Sequence, residues 1–293
     1  MSNAGRGDAQ IVARGFQRYE GPRSGVPGAI RSVSWESIRA TLGLGRRARS
    51  KVFPVIAVAI AYVPAIVFVG IAVLIPGDLL DPNEVADYAG YYGFIILAIV
   101  LFTAAVAPEV LVSDRRNGML AMYLSTPLNR TTYLAAKAVA VAVTLGLVTL
   151  GPPLLMLVGY TVEGVGPDGL GGWLTTLLRI VASGVAISAA YAAVSMAASS
   201  LTDRRAFAAI GIVLLIFITP ILTGALVEGA GAPSFVWLLN ISLMPFELVF
   251  RIFGQEGSVP EVATWAVVAG NLGWTVGGIA IVWWRYSKLV IAR

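Results

Sequence analysis

The chain of 293 residues is 57% apolar and only 13% charged, with 21 Lys and Arg against 16 Asp and Glu for a net charge of +5. A soluble domain of this size carries about 25% charged residues, so water is not its main solvent. It contains neither cysteine nor histidine, which excludes disulfides, thiolate nucleophiles, imidazole bases and imidazole or thiolate metal sites.

Residues 1–27 are rich in Gly, Arg and Ser, lack apolar periodicity and read as a flexible tail. No apolar core adjoins the basic residues of this tail, so no cleaved signal is expected and the first span serves as its own insertion signal. Over residues 28–51, Ile30, Val33, Ile38 and Leu42 recur at roughly helical spacing, Trp35 suits an interface, and Arg46, Arg47, Arg49 and Lys51 follow. This pattern predicts an amphipathic helix on the inner leaflet, the alternative being a loop whose arginines only fix topology.

Six apolar runs come next, at Val52–Ile75, Tyr88–Val112, Thr132–Tyr160, Trp173–Leu201, Ala206–Val227 and Thr264–Trp284. About 20 apolar residues suffice to cross a ~30 Å hydrocarbon core as helix. Helices are expected because backbone amides in lipid must be satisfied within their own segment, and no run alternates as a barrel strand would. Pro64, Pro152, Pro153 and Pro220 each remove a helical hydrogen bond and predict kinks. In the sixth run, Gly273 to Gly277 has the small-xxx-small spacing that lets helices approach closely.

Nineteen of the 21 bases fall on one side of this topology: ahead of the first span, in the second-to-third and fourth-to-fifth connections, and at the C-terminus. The connections Pro76–Asp87 and Thr161–Gly172 hold acids and no base. By the positive-inside rule both termini are cytoplasmic and the protein belongs in the inner membrane. A nucleic-acid surface is the rival reading of a basic chain, but these bases lie where membrane topology puts them.

The last outer connection contains SFVWLLNISLMPFELVFRIFG, as apolar as a short span and broken by Pro245. Two short helices at about 233–254, dipping into the outer leaflet, fit it better than another crossing. Glu247 and Arg251 are four apart, which predicts a modest exposed ion pair; a role at an outer gate is the sharper reading. Near the inner surface Glu109, Arg116 and Lys137 are expected to form a charge network or to snorkel. No carboxylate chain at the midplane suggests a proton relay.

One cytoplasmic stretch stands out, SDRRNGMLAMYLSTPLNR, Ser113 to Arg130. Between Gly118 and the turn Ser125-Thr126-Pro127, about two helical turns carry Met119, Leu120, Met122, Tyr123 and Leu124. A helix so short is unstable alone and must be held by packing, either in a groove of a soluble partner or flat on lipid. The chain has no phosphate-binding loop of the Gly-x-x-x-x-Gly-Lys-Ser/Thr kind and no cytoplasmic carboxylate cluster for lipid-headgroup chemistry.

These residues resemble the first cytoplasmic connection of the permease subunits of type 2 ABC exporters. That connection runs acid, arginine, Gly-Thr-Leu-Glu, several leucines, Ser-Thr-Pro-Leu-Ser-Arg and then a lysine. Asp114, Arg115, Gly118, Leu120, Leu124, Ser125, Thr126, Pro127, Leu128, Arg130 and Lys137 stand in matching places, while Met119, Ala121 and Asn129 depart from it. The resemblance implies an all-α integral membrane protein with six transmembrane helices, an N-terminal interfacial helix and two short outer re-entrant helices, residues 52–293 forming the permease domain.

It further implies a coupling helix at about 114–127 that docks in a cytoplasmic ATPase through Asp114, Arg115, Gly118, Met119, Leu120, Met122, Tyr123, Leu124, Thr126, Pro127 and Arg130. Two permeases, identical or sister chains, would work with two ATPases, the second and fifth spans lining the path. No cofactor or catalysis is expected on this chain, with ATP and Mg on the partner. The cargo would be an amphipathic drug, lipid or peptide moved out of the cytoplasm. A stand-alone carrier or channel, and a membrane-embedded lipid enzyme, are the alternative functions.

Overall fold

The computed structural model describes residues 21, 24–45, 48, 51–74 and 87–289. The predicted tail up to residue 20, Arg46, Arg47, Arg49 and the acidic connection 76–86 lie outside them. Every regular element among the described residues is helical: α1 (Gly25–Thr41), α2 (Val52–Leu74), α3 (Tyr88–Phe94), α4 (Ile96–Arg116), α5 (Met119–Leu124), α6 (Arg130–Thr149), α7 (Gly151–Val162), α8 (Gly169–Ser200), α9 (Arg205–Gly224), α10 (Met244–Phe253) and α11 (Thr264–Ser287). A π-turn, Ala225–Gly229, prolongs α9, and a 3₁₀ turn, Ser234–Leu239, precedes α10.

Among the described residues, six stretches are long and apolar enough to cross a membrane: Val52–Leu74, Ile96–Arg116, Arg130–Val162, Gly169–Ser200, Arg205–Gly229 and Thr264–Ser287. The 23 residues of α2 alone rise about 35 Å. The protein is a multi-pass, all-α membrane protein.

Proline acts unevenly along these spans. Pro152 and Pro153 open α7, so span three breaks at Leu150 into α6 and α7. Pro153 leaves the Thr149 carbonyl without its helical donor, and the Tyr92 hydroxyl supplies one at 3.0 Å. Pro64 and Pro220 stay inside α2 and α9, as Pro108 does inside α4. Span two is divided at Ile95, and its first part, α3, is capped by the Asp87 carboxylate accepting from Gly90 N–H at 2.9 Å.

The spans form an inner set and an outer set. In the most apolar window of α4, 67% of residues are buried, against 22% in α2 and 17% in the α9 span. The long helix α8 runs through the middle, touching α4, α6, α9, α10 and α11. Its contact with α11 is backbone-close at Gly278, where an added Cβ would lie 2.7 Å from the Ala193 carbonyl. Gly273 and Gly277, the expected close-packing pair, face open space, so the small residue that matters lies one position further on.

Two short elements differ from expectation in how they are held. α1 buries Val33, Ser34, Ser37 and Thr41 against the bundle, and the Ser34 hydroxyl donates to the Ala136 carbonyl at 2.9 Å. Its inward face is therefore a small polar stripe, while Trp35 is 59% exposed. Pro245 does not break the outer segment; it lies in the first turn of α10, where its missing N–H costs nothing. The break falls at Asn240, whose side-chain oxygen accepts from the N–H groups of Ser242 and Leu243, both at 3.0 Å.

Candidate functional site

The stretch from Ser113 to Arg130 folds as a projecting elbow. α4 runs on to Arg116, and Gly118, at φ +66°, makes the left-handed turn that β-carbons disfavour. α5 then spans six residues, none of them buried. Leu120 and Tyr123 lean on the apolar core, Met122 is 54% exposed and Ala121 is exposed beside it. The hydroxyls of Ser125 and Thr126 close the helix by donating to the carbonyls of Met122, at 2.7 Å, and Tyr123, at 2.6 Å. Pro127, next in the chain, is exposed.

Of the charged residues of this stretch, Asp114, Arg115 and Arg130 turn inward, while Arg116 is exposed. Lys137 on α6 is 3% exposed, and its ammonium meets the Asp114 carboxylate at 2.7 Å and the Ser37 hydroxyl of α1 at 2.8 Å. The same nitrogen lies 5.1 Å and 5.5 Å from the ring centres of Tyr123 and Tyr133, within cation–π range. Tyr133 donates to Asp114 at 2.9 Å. Burial, with Asp114 and Glu36 adding to it, raises the Tyr123 phenol above its ordinary pKa, so it stays neutral. One buried cation thus joins α1, α4, α5 and α6.

Two arginines fasten helix ends. Arg115, its side chain 7% exposed, donates to the carbonyls of Ser199 and Ser200, both at 2.6 Å, and to that of Thr202, closing the C-terminus of α8. Arg130 donates to the carbonyls of Tyr286, Ser287 and Leu289 at 3.1, 2.7 and 3.1 Å, closing the C-terminus of α11. A cation at the negative end of a helix satisfies carbonyls that have no intrahelical donor. Asp114, Arg115 and Arg130, grouped by sequence with the docking residues, are therefore engaged with the protein's own helices.

The expected network of Glu109, Arg116 and Lys137 is divided differently. Glu109 pairs with Arg205 of α9, Lys137 pairs with Asp114, and Arg116 is exposed. Glu109 and Arg116 are seven apart on α4, on one face but about 10 Å apart along its axis, and Lys137 reaches α4 from α6 at Asp114, so the three groups meet different neighbours. The pair Glu247–Arg251 also departs from expectation, for it is buried. Glu247 is 0% and Arg251 16% exposed at a separation of 2.9 Å. Packing of α10 against α3, α8 and α11 covers the pair. Glu247 accepts from the N–H groups of Ser258 at 2.8 Å and Val259 at 3.4 Å, while Arg251 donates to the carbonyls of Val259 and Val262.

Sequence reasoning passed over three contributors. Ser34 and Ser37 lie three apart on α1, a spacing that marks one helix face. Asn129 forms a reciprocal cap with Thr132, accepting from its N–H at 2.8 Å while the Thr132 hydroxyl accepts from Asn129 N–H at 2.8 Å. The Asn-x-x-Thr spacing before an apolar run was the available signal.

Between spans two and five lies a cleft of about 470 Å³, lined by Gly93 and Val100 on one side, Phe217 and Pro220 on the other, and Phe246 and Phe250 of α10. Six spans, an elbow with an exposed apolar tip and a cleft between the second and fifth spans form one arrangement, and a family model decides what it is: residues 73–285 match the one described as ABC-2 family transporter protein. The chain belongs to that family. A comparison with curated proteins finds no match. In this ABC-2 permease the matched region begins near the end of α2 and closes within α11, so it includes both the elbow and the buried pairs.

Proposed function

We propose that the permease moves an amphipathic substrate out of the cytoplasm, driven by ATP that a separate ATPase chain hydrolyses while docked on α5. ATP and Mg belong to that partner, and this chain is not itself an enzyme. The observation that carries the reading is the elbow: a six-residue helix with no buried residue, too short to persist alone, whose root is tied by Lys137, Arg115 and Arg130 to α1, α4, α6, α8 and α11. A push on α5 is then passed to several helices at once. The docking contact is apolar, made by Ala121 and Met122, with Leu124, Thr126 and Pro127 at its rim.

In this reading α1 lies at the inner membrane surface with Trp35 toward lipid, the Ser234–Leu239 turn and α10 dip in from the outer side, and both termini are cytoplasmic. A second permease copy faces spans two and five, and two ATPases complete the assembly. The cleft between those spans supports a substrate with an apolar body, because Phe217, Phe246 and Phe250 line it and no charged residue among the described ones does.

The test is co-purification with the cognate ATPase. Leu120 and Tyr123 pack inward, so charging them would disturb the fold, whereas Met122→Asp and Ala121→Asp change the exposed tip alone. The paired variant should keep its unfolding temperature and lose ATPase recovery at least tenfold. Equal recovery at unchanged stability would move the docking site off α5.

A further inference from the structure

At the opposite end of the bundle from the elbow, α2, α3 and α7 enclose a pocket of about 320 Å³, walled by Phe68, Tyr91, Phe94 and Met156, with Asp87 as its charged residue. Tyr91 and Met156 are each 1% exposed, so this cavity is built inside one subunit. Its lining comes from spans one, two and three, and span five adds none among the described residues. A second copy is therefore not needed to form the pocket.

The rings make a corner. Phe68 meets Tyr91 at 6.2 Å between centres and 75° between planes, and Phe94 at 5.0 Å and 79°. The Tyr91 hydroxyl donates to the Ala61 carbonyl, so its polar end is satisfied within the protein and its ring is what it contributes to the pocket. Asp87 is held as well: its Oδ1 accepts from Gly90 N–H at 2.9 Å and from the Gln255 side-chain amide at 3.1 Å. Its Oδ2 has no donor, and the carboxylate no ion-pair partner, among the described residues. An added Cβ at Gly90 would lie 2.0 Å from Oδ2, so the missing side chain there leaves that oxygen its place.

An unpaired carboxylate beside three aromatic rings favours positive charge, because ring faces attract a cation within about 6 Å of their centres and also cover its alkyl groups. Asp87 would repel a phosphate or a carboxylate, and a neutral apolar molecule would leave it unpaired. The volume lies at the small end of the range of about 300–1,000 Å³ usual for ligand pockets, which suits a headgroup and not a whole amphiphile.

We propose that this pocket binds the ammonium group of an organic cation, Asp87 answering its charge and Phe68, Tyr91 and Phe94 covering its alkyl groups. A free amphiphilic cation and an ammonium lipid headgroup offer the same chemistry. The site is read from its own walls and does not depend on where the ATPase docks.

The experiment is isothermal titration of the full-length permease, in the assembly it forms in detergent, with choline and with its neutral isostere 3,3-dimethylbutanol. The unchanged protein should bind choline at least about fivefold more tightly than the alcohol. Asp87→Asn should weaken choline about fivefold or more and keep the unfolding temperature, since asparagine caps a helix as well as aspartate does. Phe68→Leu should weaken it about threefold. Recovery of the ATPase should be unchanged in both variants, which keeps failure of this site apart from failure of docking on α5.

Native mass spectrometry with equimolar phosphatidylethanolamine and phosphatidylglycerol then assigns the source. A phosphatidylethanolamine share that falls on Asp87→Asn supports a lipid headgroup in the pocket, and an unchanged share, with choline still bound, supports a free cation. Equal affinity for choline and the alcohol would overturn the proposal, as would an Asp87→Asn variant that binds choline undiminished. An unchanged affinity in Phe68→Leu would overturn it too, since the site would then be a lone carboxylate that draws any cation.

Discussion

Asp114–Lys137 and Glu247–Arg251 are both buried ion pairs, yet they do different structural work. Asp114 and Lys137 come from different helices, and Lys137 adds a hydroxyl from α1 and two tyrosine rings. Glu247 and Arg251 are one turn apart on α10, and what they hold is the backbone of residues 258–262. The first is a joint between elements; the second shapes a loop against the helix that carries it. A buried charge is costly to leave alone in either place, but the damage should spread in the first case and stay local in the second.

Lys137→Met should be the most damaging single change. It leaves the Asp114 carboxylate, 14% exposed, with only Tyr133 as a donor, and the loss of one partner from a buried pair costs about 3–5 kcal/mol. Thermal unfolding in detergent should register a large fall in midpoint. Asp114→Asn/Lys137→Met removes both charges and should recover most of that loss, because an uncharged pair needs no compensation. A double variant no better than the single one would mean that the shape of Lys137, and not its charge, makes the joint.

Gly257→Ala tests the second pair from the loop side. An added Cβ would lie 2.2 Å from both carboxylate oxygens of Glu247, and that carboxylate is pinned by Ser258 N–H and by Arg251. Overpacking of this kind costs about 1–3 kcal/mol. The contrast with Lys137 lies in where the change is felt: proteolysis within residues 255–262 should rise while binding of the ATPase is untouched. If Gly257→Ala also released the ATPase, the outer pair would be a joint as well.

The difference between the pairs also explains what the sequence could reveal. Long apolar runs announce spans because the length needed to cross a bilayer is set by the bilayer, and five of the six expected runs lie within a few residues of the observed helices; the second, expected from Tyr88, is divided at Ile95 and its long helix starts at Ile96. Span three began two residues earlier, at Arg130, because Asn129 caps it. The i, i+4 spacing of Glu247 and Arg251 gave their pairing, but their burial depends on α3, α8 and α11, which are remote in sequence. Asp114 and Lys137 have no local spacing rule at all. Asp114 and Arg115 looked like docking residues because they adjoin α5 in sequence; the extra turn of α4 points one at α6 and the other at the end of α8. Hydropathy found the helix of α1 and missed its inward face, since Ser34 and Ser37 score as solvent residues and are buried by their hydrogen bonds.

The smallest effect is expected where the elbow rejoins the bundle. Asn129 departs from the serine of the motif that the stretch resembles, yet asparagine and serine are near-equal N-caps. Asn129→Ser should therefore change stability by no more than a few tenths of a kcal/mol. Asn129→Ala removes the acceptor for Thr132 N–H and should cost about 1 kcal/mol. Lys137 lies two turns further along α6, so fraying at the cap reaches the joint only if the first turn of α6 moves as a unit. Hydrogen exchange over residues 129–137 distinguishes the cases. Faster exchange confined to residues 129–132 leaves the Asp114–Lys137 pair as the true anchor of the elbow. Faster exchange through Lys137 would make the cap part of the same joint, and the inner and outer pairs would then differ less than their partners suggest.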